Sequence, residues 1–239
     1  MSWERIASEH PYYGVLSQRQ YRGKSLDAET SRRFFQSGRK YLDDLLPAIT
    51  EKFGELPRGT ALDFGCGTGR LVVPLAALFE KVIGVDVAPA MLAEAEKNCR
   101  AAGIENVTFQ RDGGDLAGIP STLAFVHSCL VFQHIPQSRG EAIFGSLIAR
   151  LGPGGIAAIQ LYVGKQGGTA AAYRGLRNRF FPVQILANLW RRRSWNEPVM
   201  QMNVYDANTL LAHATSEKFS DVHFRLGAGG SVTILLRKL

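Results

Sequence analysis

Residues Ala61-Leu62-Asp63-Phe64-Gly65-Cys66-Gly67-Thr68-Gly69-Arg70 constrain the fold more than any other stretch of the chain. A short apolar run ends in an acid and is followed by glycine at every second position. A helix-like run then follows, Leu71–Phe79. Glycine has no β-carbon, so it turns tightly at positive φ and lets backbone approach a ligand closely. A strand passing through such a turn into a helix leaves a pocket of backbone N–H groups at the carboxyl edge of a parallel sheet. A dinucleotide fingerprint, G-x-G-x-x-G, would need glycine at position 70, where the chain has Arg70. The spacing therefore points away from a dinucleotide.

From about 60 to 162, strand-like and helix-like runs alternate, the sequence sign of βαβ units. The pattern predicts strands at Thr60–Phe64, Lys81–Asp86, Val107–Arg111, Leu123–Cys129 and Gly155–Tyr162. Helices are expected at Leu71–Phe79, Pro89–Ala102 and Ser138–Leu151, and Gly152-Pro153-Gly154-Gly155 reads as a turn. At the end, Asp206–Lys218 reads as a helix. Val222–Leu226 and Val232–Arg237 read as antiparallel strands joined through Gly227–Gly230. Ahead of this core, Leu26–Gly38 and Arg39–Phe53 read as two helices, with an aromatic-rich entry at Trp3, Tyr12, Tyr13 and Tyr21.

The D-x-G-x-G-x-G turn and the seven expected strands, the last turned antiparallel by a hairpin, resemble the class I S-adenosylmethionine-dependent methyltransferases. The resemblance covers roughly 58–162 and 205–239. It implies an α/β fold: a three-layer Rossmann-like sandwich with a seven-stranded, mostly parallel sheet. To this are added an N-terminal helical segment (1–58) packing over the active site and a cap insertion at about 164–205 within the methyltransferase domain (59–239).

The resemblance also implies site residues. Asp86, about 20 residues beyond the glycine turn, is placed to accept from both ribose hydroxyls; a strand-end acid also serves as a helix cap. In Asp112-Gly113-Gly114-Asp115, Asp112 is placed to accept from the adenine amine and a glycine N–H to donate to the ring. Asp63 is expected to face the methionyl ammonium. Gly65, Cys66, Gly67, Gly69, Val87, Met91, Ser128 and Cys129 complete the expected cofactor contacts, with S-adenosylmethionine as cofactor. Ser128–Pro136 resembles the segment that lines the methyl group, and His134 within it is the candidate general base. Tyr12, Tyr13 and Tyr162 are expected to line the acceptor, with His10 as an alternative. His127, inside a strand, reads as a hydrogen-bonded core histidine. Where relatives carry Ser as the next helix cap this chain has Ala88, which predicts a helix start weaker by about 1 kcal/mol.

Three cysteines without C-x-x-C spacing argue against a disulfide framework and a zinc site, and no metal is required. Cys66 and Cys129 read as small buried filler. The polar N-terminus lacks a signal-peptide pattern, and no run reaches the roughly 18 apolar residues of a membrane span, so a cytoplasmic protein is expected. The net charge of +7 concentrates in part in Arg174–Arg193. There an amphipathic helix within Phe181–Arg193 fits a cap over the methyl, a membrane-surface helix or an anion-binding segment. The expected activity is methyl transfer to a small-molecule acceptor. Methylation of RNA or another polyanion, and a non-catalytic cofactor-binding module, are the alternatives. Oligomeric state is not legible.

Overall fold

The computed structural model describes residues 3–113, 116–164, 202–216, 218–227 and 230–239. Its centre is one seven-stranded sheet of order β3-β2-β1-β4-β5-β7-β6. The strands are β1 (Thr60–Phe64), β2 (Lys81–Asp86), β3 (Val107–Arg111), β4 (Leu123–Ser128), β5 (Leu151–Tyr162), β6 (Phe219–Leu226) and β7 (Ser231–Lys238). β1 to β5 pair in parallel, while β7 runs antiparallel to both β5 and β6. The order reverses direction between β1 and β4, and a crevice opens at the carboxyl ends of strands at such a switch point.

Alternation along the strands divides the core between two faces. Leu62, Phe64, Ile83, Val85 and Val126 pack with Phe144 and Leu147 of α6 (Gln137–Ala149) and Leu210 of α7 (Ala207–Ser216). Ala61, Val82, Phe125, Ile156 and Ala158 face the other way, against Leu42, Leu45 and Ile49 of α3 (Ala28–Phe53). Both faces are covered, as a parallel sheet requires. These are the three layers expected.

The N-terminal half of the second layer differs from expectation. α3 is one continuous helix of 26 residues, not two. Asp27 caps it, its carboxylate accepting from the Thr30 N–H at 2.8 Å. Gly38 does not break it. A β-carbon there would lie 2.2 Å from the Arg70 carbonyl oxygen, so glycine lets the helix cross directly over the end of the glycine turn. Pro47 is tolerated because it sits on the exposed side, where the carbonyl it leaves unpaired meets water.

Two other elements differ. The expected helix Leu71–Phe79 contracts to α4, Val72–Leu75, followed by turns. The chain must reach β2 within six residues, and the Asn106 side-chain amide donates to the Ala76 and Phe79 carbonyls at 2.9 and 3.0 Å, ending the helix. Gly152–Gly155 does not precede β5 but lies inside it as an irregularity. Leu151 pairs with Leu123, and regular pairing resumes at Ile156 with Phe125. Gly154, at φ +73°, takes the bend. The C-terminal hairpin forms as expected, Leu226 facing Val232. The expected helix within Phe181–Arg193 and most of the 164–205 insertion lie outside the described residues.

Candidate active site

A cavity of about 210 Å³ lies across the tips of β1, β2 and β3 and under the N-terminal helices α1 (Trp3–Glu9) and α2 (Pro11–Val15). Gly65, Gly67, Asp86, Val87, Met91 and Asp112 line one end of it. Cys129, Leu130, Val131, His134, Ile135, Pro136, Arg139 and Ile143 line the other, with Trp3 and Val15 above.

The glycine turn is shaped as its sequence requires, with Gly65, Gly67 and Gly69 all at positive φ (75°, 53° and 85°). A β-carbon on Gly65 would come within 2.3 Å of Val131, and one on Gly67 within 2.6 Å of Val15. The turn is thus held between the N-terminal segment and the loop after β4. Gly69 lies below, against Ala95 of α5 (Pro89–Ala101), and does not line the cavity.

Asp86 ends β2 with both carboxylate oxygens engaged. One accepts from the Gly67 N–H at 3.0 Å and the other from the Ala88 N–H at 2.9 Å. Burial raises its pKa above the ordinary carboxylate value, against these two backbone donors, which lower it. The residue joins turn and helix start while facing the cavity, so cap and candidate ligand are the same side chain. Ala88 itself supplies no cap. Two carboxylates compensate: Asp86 at the Ala88 N–H, and Glu4 of α1 at the Ala90 N–H, 3.3 Å away.

Asp112 is buried and lines the cavity, and Gly113 lies beside it, exposed, without lining it. Gly114, named with it, lies outside the described residues, as does Asp115. Asp63 corrects the expectation placed on it. It does not line the cavity; its carboxylate, 2% exposed, lies 2.7 Å from His127 Nδ1. His127 Nε2 is 3.2 Å from the Tyr41 hydroxyl of α3, so His127 is the satisfied core histidine its position in a strand implies. Period-two alternation explains both residues: Asp63 and His127 are register partners pointing to the α3 face.

Cys66 and Ser128 are buried beneath the turn. The Ser128 hydroxyl donates to the Phe64 carbonyl at 2.9 Å, and neither residue reaches the cavity. Burial, with Asp86 and Asp63 adding repulsion, pushes the Cys66 thiol well up, and burial pushes that of Cys129 up to about 11. Neither holds a thiolate near neutrality. Cys66, Cys99 and Cys129 are all free thiols.

The tyrosines correct the sequence reading as well. Tyr12 is 4% exposed and points away from the cavity. Its hydroxyl donates to Glu94 at 2.7 Å and lies 3.1 Å from Asn98 Oδ1, fastening α2 to α5. Burial and the Glu94 carboxylate both raise its pKa. Tyr13 lies under the Arg22 guanidinium, 4.7 Å from its ring centroid, and His10 accepts from the Gly23 N–H. Tyr162 ends β5 without lining the cavity.

The aromatic wall is instead Trp3, whose ring centroid stands 5.0 Å from that of His134. Sequence reasoning also missed Val15, Leu130, Val131, Ile135, Pro136, Arg139 and Ile143 as lining residues. Of these, Leu130 to Pro136 fall in the segment already singled out around His134. The others carry no local signal, since packing between distant segments brings them in. Leu130 takes φ +61°, a conformation disfavoured for a branched side chain. The Gln160 amide oxygen of β5 accepts its N–H at 3.2 Å and holds the turn. Behind that loop, the Tyr205 hydroxyl lies 2.7 Å from the Phe132 carbonyl, and the Asn203 N–H donates to the Gln133 carbonyl at 2.7 Å. Among the described residues no three His, Cys, Asp or Glu side chains form a metal-binding group, and no helix is long and apolar enough to cross a membrane.

Comparison with known proteins fits this geometry. Residues 61–155 match the family model described as a methyltransferase domain. The 23S rRNA (uracil(1939)-C(5))-methyltransferase RlmD of Aeromonas hydrophila is 45% identical over 60 residues, 24% of this chain and 14% of that protein. Its counterpart from Shewanella sp. (strain ANA-3) is 34% identical over 88 residues, 37% of this chain and 19% of that one. The chain thus spans less than a fifth of the length of the curated relatives it matches. Among solved structures, magnesium protoporphyrin IX methyltransferase (ChlM) from Synechocystis PCC 6803 with bound SAH superposes with a TM-score of 0.59. It is 16% identical, and the match covers 98% of this chain and 99% of that one. Residues 61–155 thus match a methyltransferase domain model, and the seven-stranded sheet has the fold of this solved structure.

Proposed function

We propose that this protein transfers a methyl group from S-adenosylmethionine to a small-molecule acceptor by in-line displacement. The observation that carries the reading is the seating of α1 and α2 across the glycine turn and α5. Gly14 lies against Met91, Val15 against Gly67 and Trp3 against His134. A cavity so roofed suits a compact acceptor better than a polymer strand. The residues present fit the cofactor. A half-buried carboxylate stands at the tip of β2 for a vicinal diol, with Asp112 and Gly113 at the next strand for the adenine edge. Gly65, Gly67, Val87 and Met91 supply close backbone and apolar contact.

When bound, the cofactor supplies an electrophilic methyl group on a sulfonium. The protein's own contribution is alignment and exclusion of water. Trp3, Val131 and Ile135 close the cavity around the acceptor. His134 accepts a proton from an acceptor hydroxyl or ammonium as its lone pair is committed. The Gln133 amide nitrogen stands 3.4 Å from His134 Nε2 and orients the ring. The Gly164 N–H donates to the Tyr205 carbonyl and the Asn203 side-chain amide to the Gln133 carbonyl in the loop that carries His134, and with these contacts in view the insertion at about 164–205 is assigned as the cap over the acceptor.

Incubation with methyl-labelled cofactor and fractionated cell extract tests the reading. Label is expected in the small-metabolite fraction. Label in RNA would replace the acceptor class. Binding of S-adenosylhomocysteine without any labelled product would leave a binding module.

A further inference from the structure

The cavity has two electrical halves. Asp86 and Asp112 put carboxylates at the tips of β2 and β3, where a cationic cofactor is expected. The opposite wall carries no acid among the described residues but holds His134 and Arg139. Arg139, in the first turns of α6, is exposed to solvent and lines the cavity beside Pro136 and Ile143.

Several other helical arginines are neutralised on their own helix, though Arg39 of α3, which lines no cavity, is not. Arg5 pairs with Glu9, Arg32 and Arg33 with Glu29, and Arg100 with Glu96. Glu141, the acid of α6, instead accepts from the Gln137 side chain at 2.8 Å. Among the described residues no hydrogen bond or ion pair engages the Arg139 guanidinium. A guanidinium left unpaired at an apolar-walled cavity is a planar fork of donors, matched to carboxylate or phosphate oxygens. Trp3, Ile135, Pro136 and Ile143 line the same cavity and supply apolar surface.

From this asymmetry we infer that the acceptor is an organic acid. Its carboxylate or phosphonate-type anion is anchored by Arg139, and its apolar body lies against Trp3. The inference rests on the methyl-transfer reading and names the acceptor's class. Arg139 binds substrate and takes no part in the cofactor site.

The test uses the full chain saturated with S-adenosylhomocysteine and three probes of one shape: benzoate, phenylphosphonate and neutral benzamide. Ligand-observed NMR titration should show at least one acid binding at least tenfold more tightly than benzamide. The better of the two acids identifies the anion. Arg139→Gln should erase that preference and Arg139→Lys should keep part of it, while calorimetry finds S-adenosylhomocysteine affinity within twofold of wild type in both. Equal binding of acids and amide, no binding of any probe, or a preference that survives Arg139→Gln would overturn the inference. Failure of the wild-type protein to bind S-adenosylhomocysteine would instead remove the methyl-transfer reading beneath it.

Discussion

The two ends of the cavity are assembled in opposite ways. The end at β1 to β3 draws Gly65, Gly67, Asp86, Val87, Met91 and Asp112 from one continuous stretch, each at a strand tip, in the turn after it or, for Met91, in the first turn of α5. The other end brings Trp3 and Val15 from the N-terminus to a loop more than a hundred residues later, braced from behind by Gln160, Asn203 and Tyr205. In the first case the path of the chain places the groups, because a parallel strand delivers whatever follows it to the same sheet edge. In the second, side-chain packing places them. The first end should be sensitive to single polar groups and the second to how well segments dock.

Asp86→Ala is the sharpest way to break that contrast. It removes the carboxylate from the strand tip where the proposed function seats the ribose, each charge-assisted hydrogen bond of this kind being worth about 1.5–3 kcal/mol. Loss of about 2–4 kcal/mol corresponds to a weakening of roughly 30- to 1000-fold at 1.4 kcal/mol per decade. Calorimetric titration with S-adenosylhomocysteine measures it. A change of less than threefold would show that this strand tip does not grip the sugar.

Gly38→Ala comes next, and it acts through packing. The added methyl would meet the Arg70 backbone carbonyl at 2.2 Å, an atom that cannot turn aside as a flexible side chain can. Overpacking of this kind costs about 1–3 kcal/mol, against the roughly 0.5–1 kcal/mol that alanine ordinarily gains over glycine inside a helix. A net loss of roughly 0.5–2 kcal/mol, at roughly 2–4 °C per kcal/mol for a chain of this size, lowers thermal unfolding by about 1–8 °C. An unchanged or raised melting temperature would mean that α3 does not cross the glycine turn at this contact.

Gly38 also marks where the sequence stops being legible. A glycine in mid-helix reads locally as a break, and only the carbonyl of Arg70, brought there by the tertiary fold, explains it. Ala88 teaches the same lesson, since its missing cap is supplied by Asp86 and, from a remote helix, by Glu4. By contrast the strands along the chain, the glycine turn and the acid ending β2 follow from local pattern and are legible. Asp63 is expected in the site only through the family resemblance, whereas its alternation along β1 sends it to His127. The tyrosines were misplaced because composition signals an aromatic wall without saying which ring faces inward. Trp3 does, and Tyr12 is turned toward α5.

Tyr12→Phe separates docking from ligand contact. It deletes the hydroxyl bonded to Glu94 and leaves the ring against Phe34. A stability loss of about 0.5–1.5 kcal/mol is expected, read by denaturant unfolding. S-adenosylhomocysteine affinity should change by less than threefold. A loss of affinity comparable to that of Asp86→Ala would return Tyr12 to the ligand-binding group.

The smallest expected effect is a pH dependence, and it connects the two properties of Asp86. Burial raises this carboxyl above its ordinary 3.8 in the ligand-free protein. Ribose hydroxyls donating to it would favour the ionised form and draw the value down in the complex. Binding then releases a proton. Affinity should be full above the ligand-free value and fall as pH drops through it, beginning at a higher pH than an ordinary carboxylate would give. For folding without ligand the sign is opposite. A carboxyl whose folded pKa exceeds its unfolded one contributes stability at low pH that is lost as pH rises through the folded value. Thermal unfolding with and without S-adenosylhomocysteine across the acid range should therefore show the ligand's stabilisation shrinking as pH falls. Asp86→Ala should remove that slope. A slope unchanged in the variant would assign the proton to another group.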